Sequence, residues 1–291
     1  TLLLVGSCIK SFRQSALSEM DKEMSQANQK FVSLLCVIVL LHCPTSLLSE
    51  ENDSETQRVA KEYEKSLEGL DNNMVSKSRS LRMAMTIKDD EGTHDKVLEV
   101  LGKGYFTALA RVTAPARDKG TKMLRFQRRG RGILYLCLPG TSRVIRLSGH
   151  MLRQSVMGSD LSYEDLLDAP RLGETYEIIK GREIEMNGKK CYDLRLRALK
   201  KSETYPERRY VIEKERNSAV LQELFAGGGK KLKIINYGKI TAFGDRHYPL
   251  HMTVKNLLKK NSMTTLEFSD VKFDIRLPRG AFTRRYLERE W

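Results

Sequence analysis

Cysteine and histidine are scarce in this chain, and their scarcity excludes most of the chemistry that a 291-residue protein could hold. Five residues are cysteine, and only Cys137 and Cys191 lie beyond residue 49. Neither stands in a C-x-x-C pair, so a metal centre or dithiol redox motif has no support. Both fall in strand-like runs, residues 134–138 and 190–194, and read as two buried free thiols; a single disulfide is the alternative in an oxidising compartment. Of the histidines, His94, His150, His247 and His251 follow residue 49. His247 and His251 have a helical metal spacing, but Tyr248-Pro249-Leu250 between them reads as strand, which sets them about 13 Å apart. No G-x-S-x-G occurs. Gly227-Gly228-Gly229-Lys230 lacks P-loop spacing and joins two strand-like runs, whereas a P-loop opens a helix. No 20–50-residue period and no low-complexity tract stands out. The expectation is a protein without catalytic residues, cofactor or metal.

Long apolar runs are lacking too. The one uncharged run, residues 31–41, is half of what a spanning helix needs, roughly 20 residues, and fits the roughly 7–15 of a leader's apolar region. Lys30 precedes it, and Thr45, Ser46 and Ser49 follow before Glu50-Glu51. Residues 1–23 are therefore expected to be a non-native upstream extension, 24–49 a signal peptide and 50–291 one domain. A competing reading of Leu40-Leu41-His42-Cys43 makes Cys43 a lipidated residue, with His42 where a small residue is expected. Export places the domain in the periplasm; lipidation anchors it in the envelope.

What is plentiful is positive charge. The chain has 51 Lys+Arg against 37 Asp+Glu. Residues 1–49 hold four of the first and three of the second, so 47 against 34 remain, a balance of +13. A basic surface suits nucleic acid, anionic lipid or an acidic protein. Export argues against nucleic acid, and the basic residues are spread along the strands, where the simplest place for them is each strand's solvated face.

The pattern along the chain is helix, then sheet. Val59, Tyr63, Leu67 and Leu70 recur at helical spacing over residues 54–70, with Asp71-Asn72-Asn73 as the expected stop. From Leu81, Met83, Met85 and Ile87 onward the period is two. Runs follow at 97–112, 121–128, 132–138 and 142–147, with Pro139-Gly140 turning the last two. After a helix over 154–168 come 175–185 and 190–199 around Asn187-Gly188, a strong hairpin signal. Further runs cover 207–215, 219–225, 231–242, 248–256 and 262–274. That is about a dozen strands and two helices. So many antiparallel strands curl toward a barrel as they twist, and the helices are the natural plugs of the concave face. The fold class is mainly β, an α+β curled antiparallel sheet forming an incomplete barrel. Residues 133–138 and 232–235 are apolar on both faces, either as walls of a cavity or as central strands under a helix.

The most distinctive segment interrupts the strands: Met157-Gly158-Ser159-Asp160-Leu161-Ser162-Tyr163-Glu164-Asp165-Leu166. Ser162 and Asp165 have the spacing of a helix start. Glu164 and Asp165 point different ways on a helix and read as favourable first-turn charges. With this segment, residues 248–254 followed by 264–271, and the tail Leu277-Pro278 with 282–287, the chain over about 75–288 resembles the bacterial outer-membrane lipoprotein-sorting family, related to the LolA and LolB carriers. The resemblance implies an incomplete barrel wrapped around helices and an acylated lipoprotein or lipid in its concave face. It also implies an inner-membrane transporter and an outer-membrane acceptor as partners. On that basis Leu134, Leu136, Ile145, Leu147, Met151, Leu161, Tyr163 and Leu166 are the expected acyl-chain contacts of a monomeric carrier. An envelope interaction module, docking a transporter or an anionic membrane surface, is the alternative.

Overall fold

The computed structural model describes residues 47–288, apart from 142, 169 and 170. The expected upstream extension, most of the leader and Cys43 lie outside the described residues. The chain divides into two compact units, residues 1–58 and 59–291. What is described of the first is the opening of helix α1, Leu47–Met74. The second holds the rest of α1 and the sheet. No helix among the described residues is long and apolar enough to cross a membrane.

Thirteen strands form one antiparallel sheet that does not close. The first six are β1 (Ser78–Asp89), β2 (Gly92–Lys103), β3 (Thr107–Ala114), β4 (Lys122–Arg128), β5 (Arg131–Cys137) and β6 (Val144–Leu147). Then come β7 (Tyr176–Met186), β8 (Lys189–Ala198), β9 (Glu207–Glu213), β10 (Ser218–Phe225), β11 (Lys231–Phe243), β12 (Arg246–Asn256) and β13 (Met263–Phe273). Each strand pairs with its neighbours in sequence except β6 and β7, which do not pair, and the two ends of the series join. β1 pairs with β13, and β6 and β7 are the two edges. The sheet is therefore a ring of strands cut once, and residues 148–175 run from one lip of the cut to the other. They hold a 3-10 turn at Gly149–Arg153 and two short helices, α2 (Tyr163–Leu167) and α3 (Leu172–Thr175). A last short helix, α4, is Arg284–Leu287.

The curled sheet, the near-dozen strands and the hairpin turns match expectation; Asn187 and Gly188 both take positive φ, 52° and 72°. Three element boundaries need correction. The run 97–112 is two strands, broken at a turn where Gly104 has φ 61°. The helix expected over 154–168 is only one turn and a half. And α1 runs through Asp71-Asn72-Asn73 to Met74, with the side chains of Asp71 and Asn73 serving tertiary contacts in place of a cap. Asn73 Nδ2 donates to the carbonyls of Arg216 and Asn217, and its Oδ1 accepts from the His247 amide at 2.8 Å.

Helix α1 covers the concave face of β7–β10. Leu67 and Leu70 are buried there against Tyr192, Leu194, Leu196, Tyr210 and Ile212. Tyr63 meets Tyr192 edge-on at 5.1 Å, and Tyr192 OH donates to Glu62. The approach needs a glycine: a Cβ on Gly181 of β7 would lie 2.3 Å from the Tyr63 ring. The concave face of β1–β6 is covered instead by residues 151–167, which pack on Met85, Leu98, Val112, Leu134 and Leu147.

The double-sided apolar run of β5 has a plain cause. Leu134 and Leu136 face the concave side. Cys137 and Tyr135 face the convex side, where Ala281, Phe282, Tyr286 and Leu287 of the C-terminal tail cover them together with Leu109, Leu124 and Val144. Cys137 and Cys191 are both buried free thiols.

Candidate functional site

The segment that spans the cut is pinned to the sheet by three of its own carboxylates, Asp160, Asp165 and Asp168, and by the Leu166 carbonyl. Met157 and Gly158 turn the chain with φ 53° and 86°. Ser159 and Asp160 follow, both essentially buried. Asp160 accepts from the Asn256 amide at 3.1 Å and from the Ser262 and Thr264 hydroxyls at 2.9 and 2.8 Å, while its own amide donates to Thr264 Oγ1. A carboxylate so surrounded clamps the segment to the β12–β13 hairpin. Ser162 caps α2 in the reciprocal box that its spacing predicts: its Oγ accepts from the Asp165 amide, and Asp165 accepts from the Ser162 amide at 2.6 Å.

Asp165 is more than a first-turn charge. It also accepts from Tyr205 OH and from Lys233 Nζ of β11. Asp168 pairs with Arg208 of β9, both side chains almost wholly buried. On the other half of the sheet, Arg125 of β4 donates to the Leu166 carbonyl, and its Nε donates to the Phe106 carbonyl at 2.7 Å. The segment is thus tied to both halves of the sheet. Glu164 contributes its carbonyl, which accepts from the Asp168 amide.

Behind these pins lies a cavity of about 310 Å³. Its apolar wall is Leu70, Leu161, Leu172, Leu224, Ile235 and Met252, with Tyr105, Tyr210 and Tyr237. Arg125, Asp165, Asp168, Arg208 and Lys233 line it too, beside Asp71 and His247. Burial pushes the Arg125 guanidinium down to about 10, still charged at neutral pH. Burial opposes the charge on Arg208, but the Asp168 carboxylate and the ring hydroxyls around it outweigh that and hold the guanidinium charged. Its Cζ stands 4.7 Å from the Tyr176 ring and 5.5 Å from that of Tyr205. Burial raises the carboxyls of Asp71 and Asp168, and lifts Tyr176 and Tyr210 to about 12. Tyr105, Tyr210 and Tyr237 therefore line the cavity as neutral hydroxyls, Tyr237 donating to Gln222 at 2.6 Å, while Tyr176 OH donates to the Tyr205 carbonyl.

The eight side chains expected to hold an acyl chain are brought together. Leu134, Leu136, Ile145, Leu147, Met151, Leu161, Tyr163 and Leu166 all belong to the apolar cluster between the spanning segment and β1–β6. Of the eight, Leu161 also lines the cavity, and the other seven are not among its lining residues. Arg208, Lys233, Arg125, Asp168 and Asp71 went unforeseen, since basic residues were expected on solvated faces. The strand period held a signal for two of them: Arg208 is in phase with Tyr210 and Ile212, and Lys233 with Ile235 and Tyr237, all concave-face residues. The two histidines share no site. His247 lines the cavity, and His251 stands 3.6 Å from Glu267. No group that could hold a metal ion occurs among the described residues.

A family model described only as "-like: Uncharacterized protein" matches residues 106–289. The chain belongs to that family. Its fold is the LolA-like one. A DUF1329 family protein from Desulfovibrio piger superposes with a TM-score of 0.71 at 22% identity, over 78% of this chain and 98% of that one. A domain assigned to outer membrane lipoprotein sorting, from Vibrio parahaemolyticus, gives 0.65 at 21% identity, over 73% and 92%. A LolA superfamily protein from Nitrosomonas europaea gives 0.62 at 24% identity, over 76% and 97%. No curated protein matches. These likenesses carry the LolA-like architecture, and the resemblance seen in the three sequence segments agrees with them.

Proposed function

We propose that this protein is a periplasmic carrier that takes an acyl chain of a lipid or lipoprotein into the cavity behind residues 157–168 and moves it toward the outer membrane. The observation that carries the reading is the cavity itself: a largely apolar space inside a sheet that is cut once, closed by a segment held mainly through polar contacts. Its volume sits at the small end of the range for ligand pockets, roughly 300–1,000 Å³. Space of that size suits a single chain. A cargo with several chains needs the segment to swing out, which would uncover Leu134, Leu136, Ile145 and Leu147, now in one apolar cluster with Met151, Tyr163 and Leu166. Burial of apolar surface at about 25 cal/mol per Å² supplies the affinity. The transporter that loads it and the acceptor that unloads it belong to the same reading.

The test is to purify the protein from a membrane-containing host and examine organic extracts by mass spectrometry. Stoichiometric acyl lipid is expected, and less of it from Leu224→Trp, which fills the cavity. A protein that stays empty after incubation with vesicles or an acylated peptide sinks the carrier reading.

A further inference from the structure

We infer that the hairpin tip between β12 and β13 is a membrane-docking element whose partner is the phospholipid surface of a bilayer. Leu257, Leu258 and Met263 are 39%, 61% and 40% exposed. They are three of the seven large apolar side chains exposed among the described residues, and they fall within seven positions of the chain. A single exposed leucine is ordinary on any protein surface; an adjacent pair at an apex with a third apolar side chain close by in the chain is not.

The tip is built to present them. The Leu257 amide donates to the Leu232 carbonyl at 2.8 Å, the Leu258 amide to Asn256 Oδ1 at 3.0 Å, and the Lys259 amide to the Asn256 carbonyl at 3.1 Å. The backbone is thus held while the side chains stand out. Around them, Lys88, Lys255 and Lys260 are exposed and make no ion pair among the described residues. Lys88 is the register partner of Met263. Lys259 donates inward, to the carbonyls of Gly158 and Ser159. The acidic residues nearby are on the β1–β2 turn: Asp90 accepts from Asn261, Asp89 faces His94 at 3.5 Å, and Glu91 follows.

This chemistry fits a bilayer better than a protein. A specific protein interface buries about 800 Å² on each partner, which a convex apex of two leucines does not offer. An apolar apex can enter the acyl boundary to a depth of roughly 5–10 Å while lysines above it meet lipid phosphates. With acidic neighbours present, the leucines supply most of the adhesion and the lysines orient it. The inference stands apart from the cargo, since the tip lies outside the cavity.

Flotation with phosphatidylethanolamine/phosphatidylglycerol vesicles tests it. The unaltered protein is expected to float. The double variant Leu257→Ser with Leu258→Ser, whose side chains touch solvent and not core, is expected to keep its melting temperature and its extractable lipid. It should partition roughly a hundredfold less, about tenfold per leucine. Lys255→Gln with Lys260→Gln should weaken binding several-fold and flatten its salt dependence. Equal flotation of the leucine variant overturns the inference, and so does an unaltered protein that ignores vesicles. Self-association that the leucine variant abolishes, without vesicle binding, would assign the tip to a second copy instead. Lipid content of the same samples reports on the carrier reading separately.

Discussion

The two halves of the sheet solve one problem in opposite ways. Each is covered on its concave face, β7–β10 by helix α1 and β1–β6 by the spanning segment. Their convex faces differ. On β3–β6 the convex face is apolar and the C-terminal tail lies on it. On β7–β11 it carries a ladder of charges, Arg182 to Asp193 to Arg209 to Glu223 to Lys231 across successive strands. Lys189 and Arg216 flank Glu213 in the same way. Cross-strand pairs of opposite charge add fractions of a kcal/mol each, whereas an apolar cover adds buried area. The difference teaches that the positive charge of this chain is not merely solvated. Half of the sheet uses it as cross-strand pairing, and three basic residues, Arg125, Arg208 and Lys233, lie on the concave side.

The strongest break in the comparison should come from the concave face. Arg208→Met leaves Asp168 buried and alone, and is expected to cost about 3–5 kcal/mol in urea unfolding. Adding Asp168→Leu should recover most of the loss; no recovery would show that Arg208 acts through something other than its pair. Next comes the apolar cover. Leu287, fully buried, is expected to cost about 2–5 kcal/mol when cut to alanine, and a loss under about 1 would mean that the tail is only loosely seated.

The smallest effect belongs to the ladder. Arg209→Ala should cost about 1 kcal/mol or less, and less still in high salt, because Arg209 is itself partly exposed and its two buried partners, Asp193 and Glu223, keep Arg182 and Lys231. Its pH signature is sharper. Burial pulls the carboxyls of Asp193 and Glu213 up, but the hydrogen bonds from Arg209 and Arg182, and from Arg216 and Lys189, outweigh it and hold both below the usual range. A lowered folded pKa adds stability above the unfolded value of about 4 and loses it as pH falls through the folded value. Asp168 and Asp71, raised by burial, oppose folding at neutral pH and cease to do so in acid. Asp193→Asn should therefore flatten the loss of stability below about pH 5, whereas Asp168→Asn should steepen it; like slopes in thermal melts would erase the distinction.

The fold was legible in the sequence wherever period and turn chemistry agreed. Asn187-Gly188, Pro139-Gly140 and the alternation in β7 and β8 placed their strands within a residue or two, and the alternation in β1 placed its strand within three. The spanning segment was legible as a helix start at Ser162 but not as a clamp, because Asp160 finds its partners about a hundred residues away in β12 and β13. The cavity was legible only in part. Leu161 could be chosen from the apolar pattern, but Arg208, Lys233 and Asp168 are polar residues whose place is fixed by pairing across strands. The C-terminal cover was hidden for the same reason: nothing local to Tyr286 and Leu287 says that β5 is beneath them.

The pairing of β1 with β13 sets the order in which the molecule can be finished. Every other neighbouring pair forms from residues close in sequence, but this central seam joins strands separated by nearly the whole domain. Contacts of that separation form late and slowly. A chain emerging end-first, from a ribosome or through a membrane, holds β1 with an open edge until the last strand arrives. The domain cannot complete its sheet before its translation is nearly done, and in that interval β1 is the edge most open to wrong partners.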